Sequence, residues 1–195
     1  MLHRVLLSLV AAGTLALSGC ALSPQQLNPD PVYRGQPVAV GQGQPVVVKV
    51  VDGRQSTELG TRGGLYSNTS ALTVRSQDVI PKLQAQAEAA IRLLGFTPSA
   101  NAYNAPQFTL TLAELQYQSP QDLYVTQATI GATFRVDVQN TAGQRYTGRY
   151  GASLDQRFGM APNQQTNTKL VTDVLSDALE RAFKDPTIGQ TLNQR

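Results

Sequence analysis

Apolar residues begin to follow regular patterns at position 45. The nearly continuous apolar run PVVVKVV, residues 45–51, ends at Asp52 and Gly53 and is typical of a buried strand followed by a turn. The stretch 53–76 is rich in glycine, serine and threonine, and it predicts a long loop in which residues 71–74 could form a short strand.

An amphipathic helix is predicted over residues 80–94, where apolar side chains recur every three or four positions. Ser76 or Asp78 is the expected N-cap. Gly95 suits the left-handed position that commonly follows a helix, because glycine adopts a positive φ without steric cost. The sequence therefore predicts both ends of this helix.

Three further strands are predicted from alternating patterns. In FTLTLAEL, residues 108–115, the alternation changes phase, which predicts a β-bulge near Ala113 or Glu114. The segment ATIGATFRVDV, residues 128–138, places six apolar side chains on one face, with Phe134 central in the core. A hairpin turn leads to a returning strand, whose inner face carries Tyr146, Tyr150 and Leu154.

A last helix is predicted over residues 166–184, stopped by Asp185 and Pro186. Its polar face carries opposite charges at four-residue spacing, which predicts the ion pairs Lys169–Asp173, Asp177–Arg181 and Glu180–Lys184. The element order is β-α-β-β-β-α. We therefore expect an α+β fold in which two amphipathic helices pack on one face of a small, mostly antiparallel sheet.

The N-terminus has the pattern of a secretory signal. His3 and Arg4 precede an apolar stretch at 5–17, and small residues follow it. A helix of this length would span about 20 Å, which is short of the ~30 Å hydrocarbon core of a bilayer. The stretch is therefore expected to be removed as a signal peptide.

The four residues LSGC, 17–20, resemble the lipobox of bacterial lipoproteins at every position. The resemblance implies cleavage between Gly19 and Cys20, a diacylglyceryl group on the Cys20 thiol and an acyl chain on the new amino terminus. Because residues 21–23 include no acidic side chain, it also implies anchoring in the outer membrane with the domain facing the periplasm. The alternative is a buried or disulfide-bonded cysteine, although the chain contains no second cysteine.

Residues 21–44 are rich in proline, glycine and glutamine, which predicts an extended tether between the lipid and the domain. The alternative for residues 38–40 is an edge strand. The chain is thus divided into a signal peptide at 1–19, a lipidated N-terminus with a tether at 20–44, and a single domain at 45–195.

The residue types alone argue against several function classes. The net charge is +3 and the 16 basic residues are dispersed, which argues against nucleic-acid binding. The only histidine, His3, lies in the signal, and the only cysteine, Cys20, is assigned to lipidation. Serine–histidine and cysteine–histidine catalysis and ordinary zinc sites are therefore not expected, and no cofactor is expected beyond the covalent lipid.

Two candidate sites remain. Asp52, Arg54, Arg62 and Arg75 lie in or beside the glycine-rich loop and could bind an anion or a partner. The alternative is that Arg54 pairs with Asp52 or Glu58 and pins the loop. A pair of carboxylates flanking a cleft could instead support glycoside hydrolysis, and the candidates are Asp52, Glu58, Asp137 and Asp155.

The segments VVVKVVDGRQSTELGTRGG, RLLGF and FTLTLAEL, followed by a long hairpin and a terminal helix, resemble the YajG family of bacterial envelope lipoproteins. The resemblance covers most of residues 45–190 and implies an uncharacterised lipoprotein with no known activity to transfer. We expect a non-catalytic binding or scaffold module whose partner is an envelope protein or the cell wall. The alternative is a cell-wall hydrolase that uses a carboxylate pair.

Overall fold

A computed structural model describes residues 23–63, 67–120 and 126–194 of the chain. The signal peptide, Gly19 and Cys20 lie outside these residues. The described helices are α1 (Ser76–Leu93), α2 (Gln164–Phe183) and α3 (Pro186–Asn193). The strands are β1 (Gln25–Gln26), β2 (Pro45–Asp52), β3 (Glu58–Thr61), β4 (Ala71–Thr73), β5 (Thr97–Ser99), β6 (Gln107–Gln118), β7 (Thr126–Gln139) and β8 (Arg145–Phe158).

The strands form two sheets. The larger sheet has the order β5-β2-β6-β7-β8, in which β2 is parallel to β5 and β6, and β6, β7 and β8 are antiparallel. The smaller sheet has the order β1-β4-β3 and occupies much of the predicted loop. The α+β prediction is confirmed, and the structure adds α3, β1, β3 and β5. These additions have at most eight residues each, too few for a clear periodic pattern.

The helices cover one face of the larger sheet. Phe134 on β7 is fully buried, and the Phe108 ring on β6 stacks on Phe183 of α2 with the ring centroids 5.4 Å apart. The pairing of β6 with β7 shifts between Leu112 and Glu114, so the predicted β-bulge is confirmed. The opposite face of the sheet carries mostly polar side chains.

The end of α1 follows the prediction, and its beginning does not. Gly95 has a φ of 91°, and the Phe96 amide donates to the Ile91 carbonyl at 3.2 Å, as in a Schellman motif. At the other end Arg75 occupies the N-cap position without a side-chain capping bond. The predicted N-cap is wrong because the Ser76 hydroxyl donates to the Asp52 carboxylate instead.

The N-terminal segment 23–44 is packed against the domain, so the predicted free tether is wrong for these residues. Leu27 is fully buried, and its amide donates to the Thr73 carbonyl. The Asp30 and Val32 amides each donate at 3.0 Å to a hydroxyl of α2. Those hydroxyls, on Thr172 and Ser176, supply the partners that an extended proline-rich chain otherwise finds in water.

The alternative of an edge strand at 38–40 is also not observed. The Val40 and Gly41 amides both donate to the Leu94 carbonyl at 2.9 Å, which ties the segment to the end of α1. No helix in the described part of the chain is long and apolar enough to cross a membrane.

The domain has two distinct ends. The hairpin end contains the turn between β7 and β8 and the end of α1. The Ser23 end contains Ser23, the end of β8 and the start of α2, and Arg62 bridges Ser23 to Pro162 there. Because β7 and β8 have 14 residues each, they extend about 45 Å between the two ends.

Candidate functional site

In the structure, the charged side chains of the predicted loop site are engaged in contacts with nearby residues. Arg54 and Asp52 form a bidentate ion pair, in which Arg54 Nε donates to Asp52 Oδ1 at 2.9 Å and Arg54 Nη2 donates to Asp52 Oδ2 at 2.7 Å. Arg54 also donates to the Val74 carbonyl at 3.0 Å, and Arg75 pairs with Asp78 at 2.8 Å. The alternative in which Arg54 pins the loop by pairing with Asp52 is therefore confirmed.

Asp52 is ionised in this arrangement. Burial alone would raise the pKa of its carboxyl, but hydrogen bonds from Arg54 and Ser76 outweigh burial and lower the pKa below its usual value. The carboxylate therefore stabilises the turn after β2 and the start of α1 at the same time.

Arg62 lies apart from this pair and has a different role. The residue is almost fully buried, and its guanidinium donates to the carbonyls of Ser23 at 3.2 Å and Pro162 at 2.8 Å. Burial lowers the pKa of Arg62, and burial likewise raises the pKa of the neighbouring Tyr117 phenol to about 12. The structure thus uses Arg62 to hold the N-terminal segment to the loop before α2.

A small buried polar network completes this contact. The Asn167 side chain is fully buried, accepts a hydrogen bond from the Tyr117 hydroxyl at 3.1 Å, and lies 2.8 Å from the Gln25 amide. Such groups are costly to bury without partners, so their pairing favours a single docked position for the N-terminal segment.

Two of the candidate carboxylates, Asp137 and Asp155, are too far apart to act as a hydrolase pair. Asp137 and Asp155 lie on the outer face of the larger sheet, where they accept hydrogen bonds from Thr147 and Thr129. Asp155 is opposite Thr129, eight positions from Asp137 along β7, which corresponds to about 27 Å. Catalytic pairs in glycosidases are about 5–10 Å apart. Asp52 lies on the opposite face, and Glu58 on β3.

No metal centre is found in the described part of the chain, where no three histidine, cysteine or acidic side chains come together as a possible ligand set.

A groove of about 600 Å³ at the hairpin end was not predicted from the sequence. One wall is the N-terminal segment from Tyr33 to Val40, and the other is the end of α2 with the joint to α3. The Tyr33 amide donates to the Gln86 side chain at 2.9 Å, which fixes this wall to α1. The Tyr33 ring packs against Phe183 with centroids 5.3 Å apart.

The lining of the groove is largely apolar, with charges around it. Val38 is 82% exposed although it is aliphatic. The surrounding charged side chains are Asp177, Glu180, Arg181 and Lys184.

These four charges were predicted to pair along α2. Lys169–Asp173 does form, with Nζ to Oδ2 at 2.5 Å. The predicted pairs Asp177–Arg181 and Glu180–Lys184 do not form, because in the described structure no side-chain nitrogen of either pair comes within 4.0 Å of a carboxylate oxygen. These two predictions are wrong. Burial raises the pKa of Tyr33, and the charge of Glu180 raises it further.

A tyrosine–aspartate cluster, formed by Tyr146, Tyr150 and Asp185, stabilises the junction between α2 and α3 at the edge of the groove. The Tyr146 and Tyr150 hydroxyls each donate to Oδ2 of Asp185 at 2.7 Å, and the Thr187 amide donates to Oδ1 at 2.8 Å. Burial opposes ionisation of Asp185, but these hydrogen bonds outweigh it and lower the pKa to about 2. Gly148 leaves room for the two hydroxyls, since a Cβ there would lie 2.4 Å from the Tyr150 oxygen.

The positions of some residues in this cluster were predictable from sequence patterns. Tyr146 and Tyr150 were correctly placed on the inner face of β8, and Asp185 was correctly placed at the end of α2. The groove itself was missed because Tyr33 and Val38 were assigned to the tether.

The profile of a family described as "Uncharacterized lipoprotein" matches residues 34–193. The chain belongs to this family. The resemblance to an uncharacterised lipoprotein family is thereby confirmed, and membership is consistent with a lipid-anchored protein of the envelope. No curated protein matches the chain.

The chain is also similar to solved structures, among them two bacterial proteins. Protein XCC0632 from Xanthomonas campestris is 11% identical with a TM-score of 0.48, over 87% of this chain and 95% of that one. A minor lipoprotein from Acinetobacter baumannii is 12% identical with a TM-score of 0.44, over 73% of this chain and 90% of that one.

Proposed function

We propose that this lipoprotein is anchored through lipids on Cys20 in the inner leaflet of the outer membrane and binds an envelope protein in the groove, without catalysis. The family assignment supports the lipid anchor, and the lipobox LSGC supplies its attachment point. Two or three acyl chains give stable attachment where one chain would be only marginal.

The observation that carries the binding role is the groove. An apolar lining with an exposed valine provides affinity through burial of apolar surface. Unpaired charges around such a lining provide specificity, because a partner of complementary charge pattern pairs with them and a mismatched one is repelled. An apolar groove is better suited to an apolar side chain of a protein than to the hydroxyl-rich strands of the cell wall.

The contacts of the carboxylates support a role without catalysis. A general acid in hydrolysis needs a raised pKa so that it remains protonated at neutral pH. In the part of the chain that the structure describes, the carboxyl groups with a shifted pKa are Asp52, Asp78 and Asp185, and each of these pKa values is lowered. With Asp137 and Asp155 far apart as well, we do not propose the carboxylate-pair hydrolase.

The anchor is tested by replacing the lipidated cysteine. Cys20→Ser should yield an uncleaved precursor that takes up no labelled fatty acid. The matched control is Ser23→Ala, which leaves the lipobox intact and should be labelled normally. Continued labelling of the Cys20→Ser protein would disprove the anchor.

The groove is tested by photo-crosslinking in cells. A photoreactive residue at Val38 should yield an adduct of defined mass, whereas the same residue at Tyr103, which is fully exposed and outside the groove, should not. Asp177→Lys with Glu180→Lys should abolish the adduct. Glu58→Lys, an exposed charge reversal on β3, should leave it unchanged. Equal adducts from positions 38 and 103 would refute the proposed site, as would an adduct at position 38 that persists in the Asp177→Lys, Glu180→Lys variant. An adduct with glycan would identify the cell wall as the partner instead.

A further inference from the structure

We propose that the Ser23 end of the domain rests on the bilayer surface, with the Met160 side chain in contact with lipid. This inference rests on the proposed lipid anchor at Cys20. It goes beyond that anchor because it states which face of the folded domain touches the membrane and which face is presented to the periplasm.

The first observation is that the chain is fixed to the domain from Ser23 onward. The Ser23 carbonyl accepts a hydrogen bond from the almost fully buried Arg62, and Leu27 is fully buried. Ser23 is three residues from Cys20, and three residues span at most about 11 Å. A lipid on Cys20 therefore holds the Ser23 end close to the membrane, whereas a free tether of 24 residues would allow any orientation.

The second observation is an exposed apolar side chain at the same end. Arg62 also donates to the Pro162 carbonyl at 2.8 Å, and Met160 is two residues from Pro162, a distance of at most about 7 Å. Met160 is 81% exposed. Methionine is flexible and apolar, so it adapts readily to an irregular apolar surface.

The position of Met160 distinguishes it from other exposed apolar residues. In the described part of the chain the other large exposed apolar side chains are Val38, Leu93 and Tyr103. All three are near the hairpin end, at the groove, the end of α1 and the loop before β6. Met160 alone among the four is placed where the anchor brings the domain to the bilayer.

The third observation is a cation beside Met160. Arg157, next to the last residue of β8, is exposed and forms no ion pair within 4.0 Å in the described structure. A basic side chain near the surface of a membrane is attracted to anionic head groups. The same end thus presents an apolar and a basic side chain, the combination that suits a bilayer containing anionic lipid.

The consequence for the groove is an orientation. With the Ser23 end on the membrane, α2 and the strands β7 and β8 extend away from it. The groove lies at the far end of α2, whose 20 residues span about 30 Å. The groove would then open toward the periplasm, where a partner can reach it.

The experiment uses the full lipidated chain in vesicles of phosphatidylethanolamine and phosphatidylglycerol. Because lipid blocks the Cys20 thiol, Met160→Cys and Val38→Cys each provide one site for an environment-sensitive fluorophore. The two residues are matched, being 81% and 82% exposed and at opposite ends. We expect the label at 160 to shift to shorter wavelength, to be quenched by nitroxide-bearing lipid and to be protected from aqueous iodide, and the label at 38 to show none of these.

Vesicle flotation separates the possible failures. A protein that does not float would refute the proposed anchor and this inference with it. A protein that floats, but whose label at 160 is quenched no more by lipid than the label at 38, would refute the orientation while the anchor stands. Gly159→Cys provides a second site beside Met160, where an added Cβ meets nothing within 4 Å, and it should behave as position 160 does.

Discussion

Replacing Asp185 with asparagine tests whether the tyrosine–aspartate cluster stabilises the fold through the charge of its carboxylate. Asp185 accepts hydrogen bonds from Tyr146, Tyr150 and the Thr187 amide. Asparagine keeps the size of the side chain and can still cap α3 through one oxygen. Asparagine has one neutral oxygen where aspartate has two charged ones, so it cannot accept all three hydrogen bonds as strongly. The substitution therefore isolates the contribution that the carboxylate charge makes to stability.

The expected magnitude follows from the pKa of Asp185. The pKa is lowered from 3.8 to about 2, and each pKa unit corresponds to about 1.4 kcal/mol, which sets an upper limit of about 2.5 kcal/mol. Because the carboxylate is partly exposed, solvent screening reduces this contribution. We expect Asp185→Asn to lower the free energy of unfolding at pH 7 by about 1–1.5 kcal/mol.

The sign of the pH dependence is also determined. A lowered pKa stabilises the folded state above the pKa of the unfolded chain, and the stabilisation is lost as the pH falls through the folded pKa. For Asp185 this window lies between pH 3.8 and about 2. The difference in stability between the wild type and Asp185→Asn should therefore be constant near neutral pH and decline across this window.

The assay is urea-induced unfolding followed by circular dichroism, since the chain contains no tryptophan. Asp173→Asn is the matched control, because its partner Lys169 forms an exposed pair on α2 that should contribute little. A difference between wild type and Asp185→Asn that persists unchanged down to pH 2 would show that the carboxylate charge is not the source of the stability.

Three further predictions concern the core and the backbone. Phe134→Ala removes a fully buried ring and should cost about 3–5 kcal/mol; an unchanged melting curve would contradict its central position. Gly95→Ala should cost about 1–3 kcal/mol more than Gly143→Ala in urea unfolding. Both glycines have positive φ, but only at Gly95 would a Cβ lie 2.6 Å from a backbone oxygen, that of Gly41, so equal costs would refute the clash. Burial raises the pKa of Tyr117 to about 12. An ultraviolet titration of the wild type, compared with that of Tyr117→Phe, should show one tyrosine ionising near this pH, and the free energy of unfolding should fall as the pH rises from 10 toward 12. Ionisation of Tyr117 near pH 10 would count against its burial.

Much of the fold was predictable because its signals are local. The phase change after Leu112 marks a bulge wherever the strand lies, since side chains alternate strictly along a strand. Gly95 marks the end of α1 because only the local backbone decides whether a positive φ is needed. The family is recognisable from such local segments as well.

The candidate site was far less predictable because its contacts join distant parts of the chain. Arg62 bonds to Pro162, 100 residues away, and no property of the glycine-rich loop indicates that partner. Asp177 and Glu180 were expected to pair within α2, but they border a groove whose other wall comes from the N-terminus.

The sequence by itself determined the periodic elements, their one-sided apolar faces and the lipobox, because each depends on residues a few positions apart. The tertiary structure alone decided that the proline-rich segment after the lipobox packs against the domain. That outcome depends on hydroxyls on α2 more than 140 residues away, which accept hydrogen bonds from the amides of Asp30 and Val32. Composition indicates what a segment prefers in water, and only the folded surface beside it determines whether better partners are available.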